Sequence, residues 1–147
     1  MATNCSVLDV AAYILKKADQ MSTMKLQKLV YYSQAWSLVW DEEPLFKEKI
    51  CAWANGPVVP ALFAEHKGKY TVKSGDIGGD HKRLTKDQKE TVDAVIKGYG
   101  SKTPQWLSDL THMEAPWRNA RAGIAEWEHA NAEIKRAAMY EYYAGLK

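Results

Sequence analysis

Cysteine is scarce in this sequence: Cys5 and Cys51 are the two in 147 residues, far apart and outside any CxxC or Cys/His spacing. This excludes a disulfide framework, gives no support to a zinc site and fits a reducing cytoplasm. Charge of one sign is lacking as well. Twenty basic and 18 acidic residues leave a formal net charge of +2, too small to imply a nucleic-acid or membrane partner. No window approaches the length needed to span a bilayer. The N-terminal stretch MATNCSVLDVAAYILKKADQ lacks the basic leader, long apolar run and small-residue cleavage site of a signal peptide. A soluble, unexported, cytoplasmic protein is expected. The four histidines, His66, His81, His112 and His129, fall in different segments with no HExxH-like pair, so no metal and no cofactor is expected.

What the sequence does have is a core-forming composition and a surplus of large rings. Hydrophobic content of 46% and charged content of 26% are those of a folding globular chain, and the length suits one domain. Six Trp and eight Tyr exceed what one small core needs, so some rings are candidates for an interface.

Helical periodicity dominates. Val7, Val10, Ala11, Ile14, Leu15 and Ala18 form one stripe, with Ser6 and Asp9 as a capping box. Ser22 or Thr23 caps a second helix to about Trp40, whose stripe Leu26, Leu29, Val30, Ser33, Trp36, Trp40 is flanked by Tyr31 and Tyr32. Its apolar surface is wider than one packing face, so burial on more than one side is expected. After the breaker DEEP, LFKEKICAWA reads as a short strand ended by Gly56 and Pro57. NGPVVP then reads as a strand-to-helix elbow, with the next helix starting at Pro60. Tyr70 to Val72 is a second strand expected to pair with 46–53, and the Gly-rich residues 73–83 are expected to form a mobile loop. Thr85 caps a helix closed by Gly100; Thr103 with Pro104 opens another, which Pro116 stops or redirects. A last helix capped by Asn131 would carry Ile134, Ala138 and Tyr142 on one face. The expected fold is an α-rich α+β single compact domain, with about five to seven helices and a small two- or three-stranded β element.

Constellations for chemistry are few. His112 and Glu114 in THMEAPW are near enough in sequence to act as acid and base. The simpler reading is that His112 satisfies free carbonyls at a helix end while Trp117 packs as a plug. GDIGGDH lacks the spacing of a phosphate-binding loop. Lys25 and Lys28 beside Tyr31 and Tyr32 have the residue types of a nucleic-acid surface, but two lysines on an exposed helix flank are ordinary, and a helix-turn-helix reading of the first two helices suits the aromatic load poorly. No catalytic residue is assigned.

Three segments in order, MKLQKLVYYSQAWSLV, CAWANGPVVPALFAEHK and WLSDLTHMEAPWRNA, together resemble the Panacea domain family, the SocA-like antitoxins once grouped with phage-associated proteins. The resemblance covers about residues 5–143 of a domain spanning 1–147. The KLQKLxYY pattern matches Lys25, Leu26, Gln27, Lys28, Leu29, Tyr31 and Tyr32. The AWxxGPVVP pattern matches Ala52, Trp53, Gly56, Pro57, Val58, Val59 and Pro60, and LSxLTHxExPW matches Leu107, Ser108, Leu110, Thr111, His112, Glu114, Pro116 and Trp117.

The resemblance implies a non-enzymatic antitoxin that neutralises a cognate protein toxin, encoded by an adjacent gene, by direct binding. Toxins of the family are diverse, and one member acts as an adaptor delivering its toxin to a protease, the alternative here together with a nucleic-acid-binding regulator. No added DNA-binding domain is expected, so the domain itself is expected to hold the toxin. Candidate partner-binding residues are Tyr31, Tyr32, Trp106, Arg118, Arg121 and Trp127, with Trp36, Trp53 and Trp117 expected in the core.

Overall fold

The computed structural model describes residues 4–146. Helix α1 spans Val7–Ala18 with the expected capping box: Ser6 Oγ accepts from the Asp9 amide, and the Asp9 carboxylate accepts from the Ser6 amide. A two-residue strand β1 (Met21–Ser22) leads into α2 (Thr23–Trp40), where Ser22 is the N-cap through the Lys25 amide. Helix α2 is the axis of the molecule. It packs against α1, α4 (Lys86–Tyr99), α5 (Pro104–Met113), α7 (Arg136–Ala144) and strand β3 (Gly56–Val58), and every residue from Leu26 to Ala35 is buried.

Burial on all sides forces the polar residues of α2 to find partners inside. Gln34 accepts from the amides of Leu45 (2.7 Å) and Phe46 (3.2 Å) and donates to the Phe46 carbonyl (2.9 Å). Two turns earlier Gln27 accepts from the Val59 amide at 2.9 Å and holds the His66 ring at 2.9 Å. These side chains replace backbone partners that the irregular segments at 45–46 and 59 would otherwise lack. Ser33 and Ser37 donate to the carbonyls of Leu29 and Glu43.

The β structure differs from the sequence reading in three respects. Strand β2 covers Ile50–Trp53, and Gly56 and Pro57 do not end the sheet but begin β3, paired antiparallel with Cys51↔Val58, Ala52↔Pro57 and Trp53↔Gly56. NGPVVP is therefore a hairpin return before it is an elbow. Pro57 is tolerated because β3 is the edge strand of the order β3-β2-β5. The expected start of α3 (Pro60–His66) at Pro60 is observed, with Pro60 at the position where its missing amide costs nothing. Second, β4 (Thr71–Val72) pairs with β1, not with 46–53. Third, β2 pairs on its other side with β5 (Glu133–Ile134), so Ile134 is a strand residue. Asn131 caps no helix: α7 begins at Arg136 and buries Met139 and Tyr143 instead of Ala138 and Tyr142.

Thr85 and Thr103 cap α4 and α5 as expected. Pro116 sits in the first turn of α6 (Ala115–Ala120), so the α5 helix gives way to a redirected one. Within residues 73–83, expected as a mobile loop, three residues make contacts: Ile77 is buried, the Asp80 amide donates to Asp9 Oδ1 at 2.7 Å, and Gly79 lies so close to the Leu8 carbonyl that a Cβ would clash with it. The fold is α-rich α+β, with seven helices and two small antiparallel sheets among the described residues.

Candidate functional site

The three sequence segments singled out above converge on one region between α2, the β2–β3 hairpin and the α5–α6 bend. The hairpin is gripped from the α5–α6 side by side chains that take its carbonyls. Ser108 Oγ donates to Asn55 O (2.6 Å), Trp117 Nε1 to Trp53 O (2.8 Å) and Arg121 Nη1 to Ala52 O (2.9 Å). From the α2 side, Lys28 Nζ donates to Pro57 O at 3.3 Å and Gln27 ties down Val59.

Lys28 is the unusual member. Its side chain is 1% exposed, and no carboxylate of the described residues forms an ion pair with it. Burial lowers its pKa to about 8, with no neighbouring acid to oppose the shift. Gly56, at φ +124°, is what makes room for it: a Cβ there would stand 2.6 Å from Lys28 Cε and 3.1 Å from both Nζ and Thr111 Oγ1. The backbone angle favours glycine at this position, and a Cβ would in addition have to displace the end of the Lys28 side chain.

His112 stacks on Trp117, with ring centroids 4.1 Å apart, and its ring donates a hydrogen bond to the Ala54 carbonyl. Its Nε2 is buried without a partner. Burial, and next the nearby Lys28 charge, push its pKa below the ordinary imidazole value. Glu114 points elsewhere. Its Oε1 accepts from both Tyr32 and Tyr143 at 2.7 Å, and Tyr143 in turn meets Tyr31 at 2.9 Å. Burial raises the Glu114 pKa against the opposing effect of the two phenols. His112 and Glu114 thus have separate partners and are not arranged as an acid–base pair.

Beside this junction opens a pocket of about 320 Å³, walled by Lys28 and Gln27 of α2, Trp53 and Asn55 of the hairpin, Phe63 and His66 of α3, and His129. Trp53 meets Phe63 edge-on at 5.0 Å and His129 at 5.2 Å, and its indole donates to Asn131 Oδ1. His66 is held by Gln27, and burial lowers its pKa. No group of three or more His, Cys, Asp or Glu among the described residues can hold a metal ion, and no described helix is long and apolar enough to cross a membrane.

A family model described as "Antitoxin SocA-like, Panacea domain" matches residues 26–118. The chain belongs to that family. No curated protein and no solved structure matches it. The matched stretch runs from the first buried turn of α2 to the α5–α6 bend and so contains every Panacea residue of the junction from Leu26 to Trp117. Strand β5 and helix α7 lie outside it, yet they supply Ile134 to the sheet and Tyr143 to the Glu114 cluster.

The partner-binding candidates divide sharply. Tyr31 and Tyr32 are 1% and 0% exposed, and Arg121 is buried with its guanidinium spent on the carbonyls of Ala52, Ala125 and Glu128. All three are interior residues of this Panacea domain. Trp106 (43%) and Trp127 (83%) are exposed, as is Arg118. Trp117 is core as expected, while Trp36 and Trp53 are partly exposed. The basic helix flank read from Lys25 and Lys28 does not exist, because Lys28 faces the interior. Sequence reading missed Tyr143 and the pocket residues Phe63 and His66. Gln27 and Gln34, seven residues apart and hence on one side of α2, were a legible signal of a buried polar seam.

Proposed function

We propose that this Panacea domain is the non-enzymatic antitoxin of a toxin–antitoxin pair, acting in the cytoplasm and neutralising a cognate toxin, encoded by an adjacent gene, through direct protein–protein binding. The family match over residues 26–118 carries this reading. The exposed rings support it: Trp127 and Trp106 offer large, rigid contact area, Lys102 lies 4.7 Å over the Trp106 ring, and Arg118 adds a planar charged donor. Such residues supply most of the energy of protein interfaces. The polar junction supports a binding role over catalysis, since the His112 and Glu114 side chains have separate structural partners.

Co-expression with the product of the neighbouring gene tests the proposal. Expected are growth arrest by that product alone, rescue by this protein, and co-purification of the two at an unchanged toxin half-life. A neighbour that is harmless alone, or toxic despite this protein, overturns it. Loss of toxin in place of a stable complex would point to delivery to a protease. Rescue by a folded His112→Ala variant is expected, since no catalytic role is assigned to that ring.

A further inference from the structure

We propose that the tight turn at residues 125–128 docks on the toxin, inserting the Trp127 indole into an apolar cleft whose rim carries Lys or Arg side chains to meet Glu126 and Glu128. This rests on the antitoxin reading and adds to it the docking element and the chemistry of the surface it fits. The Glu128 amide donates to the Ala125 carbonyl at 3.0 Å, so residues 125–128 form a β-turn with Glu126 and Trp127 at its two corners. Trp127 is 83% exposed there, and both glutamates are exposed beside it.

What separates this ring from an ordinary surface tryptophan is how its turn is held. Exposed loop tips are normally among the mobile parts of a domain. Here the buried Arg121 guanidinium bonds both ends of the turn: Nη2 donates to Ala125 O at 2.8 Å and to Glu128 O, while Nη1 is tied to Ala52 O of β2 at 2.9 Å. The chain beyond is fixed as well. The His129 ring meets Trp53 at 5.2 Å, the Trp53 indole donates to Asn131 Oδ1 at 2.9 Å, and the Ala52 amide donates to Ala132 O at 2.7 Å. Burying a guanidinium is costly unless its donors are used, and Arg121 uses them to set this turn against the sheet. A ring carried on a fixed turn loses less freedom on association than one on a mobile loop.

Charge selects the partner. Residues 122–132 contain Glu126 and Glu128 and no Lys or Arg. An apolar knob between two carboxylates is complementary to an apolar cleft with a cationic rim. Nucleic acid or an anionic bilayer would meet the same carboxylates with like charge. The turn therefore suits a protein surface.

Two measurements on the full chain test this. In the free protein, NMR relaxation of the Glu126, Trp127 and Glu128 amides is expected to match that of the α7 amides; a turn as mobile as a free loop overturns the proposal. Binding to the product of the neighbouring gene is then measured by calorimetry at low and at high salt. Trp127→Ala is expected to weaken it by about 10-fold or more with an unchanged urea midpoint. The double variant Glu126→Lys, Glu128→Lys is expected to weaken it by about 10-fold at low salt, a difference that shrinks at high salt as the charges are screened. If the natural chain binds and Trp127→Ala binds equally well, or the charge reversal leaves affinity unchanged or tightens it, this inference falls while the antitoxin reading stands. If the natural chain does not bind that product at all, both fall together.

Discussion

Tyr32 of α2 and Tyr143 of α7 donate their phenolic protons to one and the same oxygen, Glu114 Oε1, each at 2.7 Å. Tyr31 extends the chain through Tyr143. The cluster joins the central helix, the α5–α6 bend and the C-terminal helix in a single buried network, so its members act together.

Its pH dependence follows from Glu114. Burial raises the folded-state pKa above the ordinary 4.5. For an acid so shifted the proton is held more tightly when folded, so its contribution is complete below 4.5 and is lost as pH rises through the folded value. The stability difference between the natural protein and Glu114→Gln is therefore expected to fall as pH is raised from 4.5, read from urea midpoints at fixed ionic strength. A difference that grows with pH would contradict the raised pKa.

Removing one donor leaves the carboxylate half-served. Tyr143→Phe is expected to destabilise by about 1–3 kcal/mol, since a buried acceptor loses a partner and Tyr31 loses its own. Tyr142→Phe, one residue away on a half-buried ring with no hydrogen bond of this kind, is expected to cost less than about 0.5 kcal/mol. Chemical denaturation of both variants makes the comparison.

Lys28 runs the other way. Its pKa of about 8 is below the 10.5 of an exposed lysine, so its contribution is present above 10.5 and is lost as pH falls through 8. Replacement by an apolar side chain of similar length removes the cost of burying an unpaired ammonium. Lys28→Met is expected to be more stable than the natural protein at pH 7, by about 1–3 kcal/mol, with the advantage shrinking between pH 8 and 10.5. Thermal unfolding at pH 7 and pH 10 checks both statements.

Gly56→Ala is expected to destabilise by about 1–3 kcal/mol through its positive φ and through contact with Lys28. Combining it with Lys28→Ala separates the two causes. The steric part should disappear in the double mutant and the backbone part persist, so the two substitutions are expected to be non-additive when measured as a double-mutant cycle.

At the surface, Trp106→Ala and Trp127→Ala are expected to change stability by less than about 0.5 kcal/mol, because both rings are exposed. If they face the toxin, each weakens capture by about 10-fold or more, the scale of an aromatic anchor. Pull-down with the neighbouring gene product, at matched protein levels, reads the effect; unchanged capture by the double variant would move the interface elsewhere.

The sequence by itself determined the starts of α1 to α5, but not that of α7, which begins at Arg136 and not after Asn131. Ser6, Thr85 and Thr103 cap as read, Ser22 is the one of the two candidates Ser22 and Thr23 that caps α2, and Pro60 opens α3, because a cap is a contact between residues three apart and needs nothing distant. The three Panacea segments were visible for the same reason: each is a continuous run. Only the tertiary structure decided what they meet. Pro57 looked like a strand terminator and is an edge-strand residue, since whether its missing amide matters depends on which neighbour lies on that side. Lys28 looked exposed on a helix flank and is interior, because α2 is wrapped by four other helices and a hairpin that no periodicity reveals. Tyr31, Tyr32 and Arg121 were anchors for a partner by residue type and became internal ones by position. Strand pairing and buried charge are relations between residues tens of positions apart, and local chemistry leaves them open until the chain closes on itself.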